Sequence, residues 1–180
     1  MSATASDPLP WIGPRVVLRR LAAPDLAAFQ EYRHDERAGR YQGWTPQPDA
    51  AALQFLHEMG RSIVFPRDAW VQLGIAERAG NLLIGDIGVF IDAAGNHAEM
   101  GFTLNPKFQR QGLAQEALTA AMQLVFAHTP VARIECVTDQ RNAAACRLLE
   151  RVGMQRVATE NAFFRGEACI EYRYRMLRAT

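Results

Sequence analysis

The 180-residue sequence predicts a mixed α/β (α+β) domain, with a mostly antiparallel central sheet flanked by helices. Three observations carry this. Apolar, β-branched runs at 70–76 and 82–91 flank Glu77-Arg78-Ala79-Gly80-Asn81, a hairpin signal. Ala/Leu-rich stretches at 112–127 and 142–151 repeat apolar residues at helical spacing. Hairpins recur between the helices in place of a strict strand–helix alternation, which argues against a doubly wound parallel sheet.

Taken in order, residues 1–12 read as a flexible lead, with neither the basic start nor the apolar core of a signal peptide. Residues 13–180 form one domain by length. The alternation from Arg15 to Leu21 gives a first strand, and Pro24-Asp25 opens a helix with Leu26, Phe29 and Tyr32 on one face. The Gly-, Pro- and polar-rich stretch 34–49 reads as a loop. Asp49 then reads as the N-cap of a helix whose Leu53, Leu56 and His57 share a face. After the 70–91 hairpin, Ala94-Gly95-Asn96-His97 turns into a strand that ends at Leu104. The helix from Gly112 stops before Pro130 and is followed by a strand at 131–138. The 142–151 helix is closed by Gly153, and strands at 155–164 and 168–177 pair through Arg165-Gly166.

A net charge of +1 gives no electrostatic case for a nucleic-acid partner. No apolar run approaches the roughly 20 residues that span a bilayer, so no membrane role is expected. Cys136, Cys146 and Cys169 are odd in number and widely spaced, as free thiols of a reducing cytoplasm are. Without CxxC or HExxH, and with scattered histidines, no metal site is expected.

The most informative segment is the passage from a strand ending in Phe102-Thr103-Leu104, through Gln109-Arg110-Gln111-Gly112-Leu113-Ala114, into a long helix. A helix N-terminus presents unpaired N–H groups and a partial positive charge, which suits it to a phosphate. Gly112 and Ala114 leave the backbone open to an anion, and Arg110 adds a positive charge. The segment reads as a pyrophosphate cradle.

The spacing Gln-x-x-Gly-x-Ala resembles the acyl-CoA motif of the GCN5-related N-acetyltransferase (GNAT) superfamily. With Ala-Glu-Met-Gly-Phe-Thr-Leu before it and Asn142-Ala-Ala-Ala-Cys-Arg-Leu-Leu-Glu-Arg-Val-Gly-Met154 after the next strand, it resembles the ribosomal-protein-alanine N-acetyltransferase (RimJ/RimL-type) subgroup. The resemblance implies a GNAT fold with splayed central strands, and acetyl-CoA as cosubstrate. It places the pyrophosphate on the backbone of Arg110, Gln111, Gly112, Leu113, Ala114 and Gln115, with Gln109 completing the motif. Phe102, Thr103 and Leu104 then lie along the pantetheine, with Asn142 and Ala145 beside it. Asn142 also reads as a plain helix N-cap. Relatives carry a serine where this chain has Ala145, and many place a tyrosine acid where it has Leu149. The thiolate would then leave unaided or take its proton from water.

Alternation along the strand puts Glu99 on the face opposite Met100, Phe102 and Leu104, with His97 two residues away. The resemblance makes Glu99 a general base; a solvated strand carboxylate is the other reading. Trp44, in Tyr41-Gln-Gly-Trp-Thr-Pro46, reads as a wall of the acceptor site or as a loop anchor, with Tyr41, Arg37 and Phe90 as weaker members. An α-amine of pKa about 7.7–8.0 needs less help from a base than a lysine at about 10.4. The expected acceptor is therefore a peptide N-terminus, an amino acid or a small amine. The alternative function is a catalytically idle acyl-CoA-binding module. By resemblance the chain is expected to be a monomer or homodimer.

Overall fold

The computed structural model describes residues 7–179. One eight-stranded sheet organises them, in the order β1-β2-β3-β4-β5-β6-β8-β7. The strands are β1 (Trp11–Ile12), β2 (Val16–Arg20), β3 (Trp70–Glu77), β4 (Leu83–Ile91), β5 (His97–Leu104), β6 (Arg133–Asp139), β7 (Gln155–Phe164) and β8 (Glu167–Leu177). The helices are α1 (Leu26–Arg33), α2 (Glu36–Gly39), α3 (Asp49–Arg61), α4 (Leu113–His128) and α5 (Ala143–Arg151).

All neighbouring strands are antiparallel except β5 and β6. That pair is parallel and holds only from His97/Arg133 to Glu99/Glu135. Beyond it, β5 continues to Leu104 against β4, while β6 continues to Asp139 against β8. The sheet therefore opens into a V with its apex at Glu99.

Each face is buried by a different set of helices. On one, α4 supplies Leu113, Ala117, Leu118, Ala121 and Val125 to a core with Met100, Ile134, Leu149 and Tyr174. Burying one such Leu or Val contributes about 1.5–3 kcal/mol, so this face holds much of the stability. On the other, Leu21, Phe29, Tyr32, Ala52, Leu56 and Leu83 form a smaller cluster under α1 and α3.

Three sequence expectations change. Residues 7–12 of the expected flexible lead are ordered: Trp11 and Ile12 pair with Leu18 and Val17, Leu9 is buried, and Asp7 bonds Arg20. Residues 1–6 lie outside the described residues. The 34–49 loop contains α2, because the Asp35 carboxylate caps it by accepting from the amides of Arg37 and Ala38. Asp49 is inside α3 and accepts from Gln30 Nε2 instead of capping; the packed face is Ala52, Phe55, Leu56 and Met59, with His57 exposed.

Candidate active site

The cradle is built by backbone geometry. Arg110 and Gly112 both adopt left-handed conformations, with φ of 61° and 77°. Such residues turn successive amides toward one concavity, which favours an anion. The first-turn amides of α4, Leu113, Ala114 and Gln115, have no intrahelical partner and point the same way. Leu113 sends its side chain into the core, so its backbone alone faces out. Two side chains fix the loop. Gln109 Nε2 donates to the Leu104 carbonyl (3.0 Å), tying it to the end of β5. Arg15 Nη1 donates to the Gln111 carbonyl (2.7 Å) while its Nε pairs with Glu116 (3.0 Å). A Cβ on Gly112 would lie 3.1 Å from Arg15 Nη2, so the guanidinium sits directly beneath the cradle.

Along the open arm of β5, backbone groups alternate sides. Those of Met100, Phe102 and Leu104 face the gap: the Phe102 carbonyl accepts from Gln42 Nε2 (3.0 Å) and the Leu104 carbonyl from Gln109. The Cys136 thiol lies buried at the apex beside the Met100 N–H, pushed up to about 12 by burial and then by the charge of Glu99. It is protonated and unreactive at neutral pH.

A cavity of about 440 Å³ opens on the α1/α3 side of the same arm. Its floor follows from strand register: Gln72, Gly88 and Gly101 are direct cross-strand neighbours. A Cβ on Gly101 would meet nothing within 4 Å, and one on Gly88 would strike Gln72 Nε2 at 2.7 Å. The Gln72 side chain therefore lies across Gly88 toward β5. One row along, Asp86 opposes Thr103. Asp86 Oδ2 accepts from Tyr32 OH (2.6 Å) and from Arg33 Nη2 (2.7 Å). Burial, then the neighbouring Asp86 charge, pushes the Tyr32 phenol well above its ordinary value, so it remains a donor.

Arg33 is held between rings, its guanidinium carbon 4.4 Å from the Trp44 centroid and 4.7 Å from that of Phe29. Trp44 Nε1 donates to Thr103 Oγ1 (3.2 Å). Arg165, at the β7–β8 turn, donates through Nη2 to the carbonyls of Gly39, Gln42 and Trp44. The 39–44 segment is thus fastened from outside.

Of the expected acceptor residues, Trp44 lines this cavity; Phe102 and Thr103, expected along the pantetheine, line it too. Tyr41 does not; Arg40 covers its ring at 5.3 Å. Phe90 stands behind the lining, 5.6 Å from the Trp70 ring, which faces the cavity. Arg37 is exposed and paired with Asp35. Asp86, Arg33, Gln42 and Gln72 were not picked out from the sequence. Asp86 had a signal, a carboxylate within an apolar strand, since a buried charge is the informative exception.

Glu99 projects on the cavity face at the apex, two residues (about 7 Å of strand) from Gly101. Its cross-strand neighbour is Glu135. Arg173, Arg175, Arg133 and His97 all lie within 3.4 Å of the Glu135 carboxylate. Burial alone would raise that carboxyl, but bonding and charge from Arg175, with His97 and Arg173, hold it below its ordinary value. Glu99 makes no ion pair among the described residues, so the two adjacent carboxylates differ sharply in freedom. Asn142 caps α5, its Oδ1 accepting from the Ala145 amide (3.2 Å), and both Ala145 and Leu149 are buried. No group of three or more potential metal ligands occurs among the described residues.

The forked sheet, the cradle at one arm and the cavity beside it define an acyltransferase of the GNAT type. The model for the acetyltransferase (GNAT) domain matches residues 15–155, and the chain belongs to that family. It is 28% identical over 145 residues to the N-acetyltransferase YnaD of Bacillus subtilis, covering 79% of this chain and 80% of that protein. Among solved structures it is similar to a GNAT-family acetyltransferase from Bacillus anthracis, at a TM-score of 0.81 and 22% identity, covering 92% of this chain and 96% of that one. It is similar in fold to RimL, a ribosomal L7/L12 α-N-protein acetyltransferase solved with coenzyme A, at 0.78 and 14%, covering 93% and 97%.

Proposed function

We propose that this acetyltransferase uses acetyl-CoA as donor and a primary amine as acceptor, by direct attack of the neutral amine on the thioester. The observation that carries this reading is the meeting of two spaces at one segment: Phe102 and Thr103 border both the β5–β6 gap and the cavity. In this reading the pantetheine lies along the open arm of β5 as an added strand, and the pyrophosphate rests on the amides from Arg110 to Gln115. The acceptor occupies the cavity. Its amine reaches the thioester over Gly101, where the missing side chain leaves room.

Glu99 takes the proton as general base, directly or through one water. A β5 amide facing the gap holds the developing oxyanion. The tetrahedral intermediate collapses with departure of the CoA thiolate. Leu149 and Ala145 are apolar and buried, so that thiolate leaves unaided or is protonated by water. Asn142 holds the start of α5 and offers its side-chain N–H groups to the pantetheine arm. With Glu99 as its one carboxylate outside an ion pair and no side-chain acid at Ala145 or Leu149, the site suits an amine of low pKa, an α-amine before an internal lysine.

Thermal unfolding with and without CoA tests the donor, since a ligand of the native state stabilises by its concentration relative to Kd. CoA and acetyl-CoA should raise the midpoint of the wild type and not of Gly112→Glu, which strains the left-handed position the cradle is built on and sets a carboxylate against Arg15 beneath it. Release of free thiol from acetyl-CoA on adding a peptide or small amine tests the reaction. Buried Leu149 and Ala145 favour a second reading, an acyl-CoA-binding module without turnover. It predicts stabilisation by CoA, no thiol release with any amine, and no effect of Glu99→Gln.

A further inference from the structure

Three side chains that line the cavity each carry a buried polar atom without a hydrogen-bond partner among the described residues: Gln30 Oε1, Gln72 Oε1 and Arg33 Nε. The orientation of Gln30 is not in question, because its Nε2 donates to both the Gln47 carbonyl and Asp49 Oδ1, each at 2.8 Å. Its Oε1 is thus an acceptor without a donor. Arg33 is the complement. It is 7% exposed, and its bond to Asp86 Oδ2 engages only one of its nitrogens. Buried polar groups in folded proteins are normally paired, so a cluster of unpaired ones around one cavity marks a place completed by something else.

Charge narrows what that is. The charged side chains lining the cavity are Arg33 and Asp86, which cancel each other in a short ion pair. Their ion pair leaves no net charge to hold a further ammonium or a further carboxylate, and desolvating either is costly. The walls are flat: Trp44 and Phe29 flank Arg33, and Phe55, Trp70 and Phe102 complete the enclosure. An occupant that supplies an N–H to a glutamine carbonyl and a C=O to a guanidinium, is planar, and carries no charge is a carboxamide or an equivalent amide.

We propose that the cavity is a recognition site for an uncharged planar amide group on the acceptor, separate from the amine that is acetylated. Gln72 and Gln30 accept from its N–H, and Arg33 donates to its carbonyl. Because the Gln72 head lies over Gly88, it is one strand spacing, about 4.8 Å, from Gly101. A three-carbon spacer between amine and amide matches that span. The inference rests on the amine-acetylation reading and assigns the selectivity of the same site.

The test compares γ-aminobutyramide, γ-aminobutyrate, putrescine and n-pentylamine, which share an amine and nearly the same length. Thiol release is followed at about pH 9, where a usable fraction of each amine is neutral. The carboxamide should show a kcat/KM about tenfold or more above the carboxylate and the diamine, as sites that hydrogen-bond a substrate group reject analogues lacking it. In Gln72→Leu and Gln30→Leu it should lose its margin over pentylamine, chiefly through KM. A diamine or carboxylate that reacts as well as the carboxamide overturns the inference, as do margins that survive both substitutions. If no amine releases thiol, the transfer reading fails on its own. The cavity is then judged by binding: γ-aminobutyramide should raise the unfolding midpoint of the CoA-loaded protein, and an equal shift with γ-aminobutyrate or putrescine overturns the assignment.

Discussion

The two halves of β5 lead opposite lives. From His97 to Glu99 the strand is paired on both sides, and the Glu135 carboxylate beside it gathers Arg173, Arg175, Arg133 and His97. From Met100 to Leu104 it keeps β4 and loses β6, and the Phe102 and Leu104 carbonyls are met by Gln42 and Gln109 instead of a strand. The first half shows how a sheet is fastened. The second shows how an edge is kept open inside a sheet, with side chains meeting two of its carbonyls.

This contrast can be broken from the paired side first. Glu135→Leu leaves the partly exposed Arg173, Arg175, Arg133 and His97 without the buried carboxylate they share and should cost about 1–3 kcal/mol by denaturant unfolding at neutral pH. Glu135 sits below its ordinary pKa when folded, so its contribution is complete above the unfolded value of about 4.3 and is lost as pH falls through the folded one. The gap between wild type and Glu135→Gln should therefore close on acidification. A gap that widens would mean the carboxylate is not the fastening group.

The open half should respond in activity with little change in stability. Gly101→Val adds a side chain where nothing lies within 4 Å, so unfolding should shift by about 1 kcal/mol or less. Acetyl transfer should fall about a hundredfold, equivalent to about 2.7 kcal/mol of transition-state stabilisation. Retained turnover would remove the floor from the site. Gln42→Leu leaves the Phe102 carbonyl without its donor and should lower kcat/KM by about tenfold, a single hydrogen bond's worth. Arg165→Ala frees the 39–44 segment from outside and should raise the acceptor KM several-fold, with the KM for acetyl-CoA unchanged.

What could be read from the sequence was what is local in the chain. The proposed cradle lies within six consecutive residues, and its glycine has the left-handed conformation that a glycine takes easily, so the turn at Gly112 was legible. Glu99 and Thr103 followed from the alternation of one strand, and Trp44 from a polar loop with an aromatic. The cavity's polar groups were not legible, because Asp86 meets Arg33 across 53 residues and Gln42 meets Phe102 across 60. Nothing within one window announces such a pair. Tyr41 and Phe90 were weaker members of the Trp44 reading, and the fold put other rings, Trp70 and Phe29, against the cavity. Asp49 was taken for a cap on local preference, which a tertiary bond to Gln30 overrode.

The guanidinium of Arg165 reaches the Gly39, Gln42 and Trp44 carbonyls from 121 to 126 residues downstream. A ribosome releases a chain from its N-terminus at about 5–20 residues per second. The tryptophan wall and the glutamine over the gap therefore emerge many seconds before the residue that pins them. The nascent chain can assemble β2 to β5 while the 39–44 segment is still unlatched, and the cavity beside it takes its folded shape only as the last hairpin comes off.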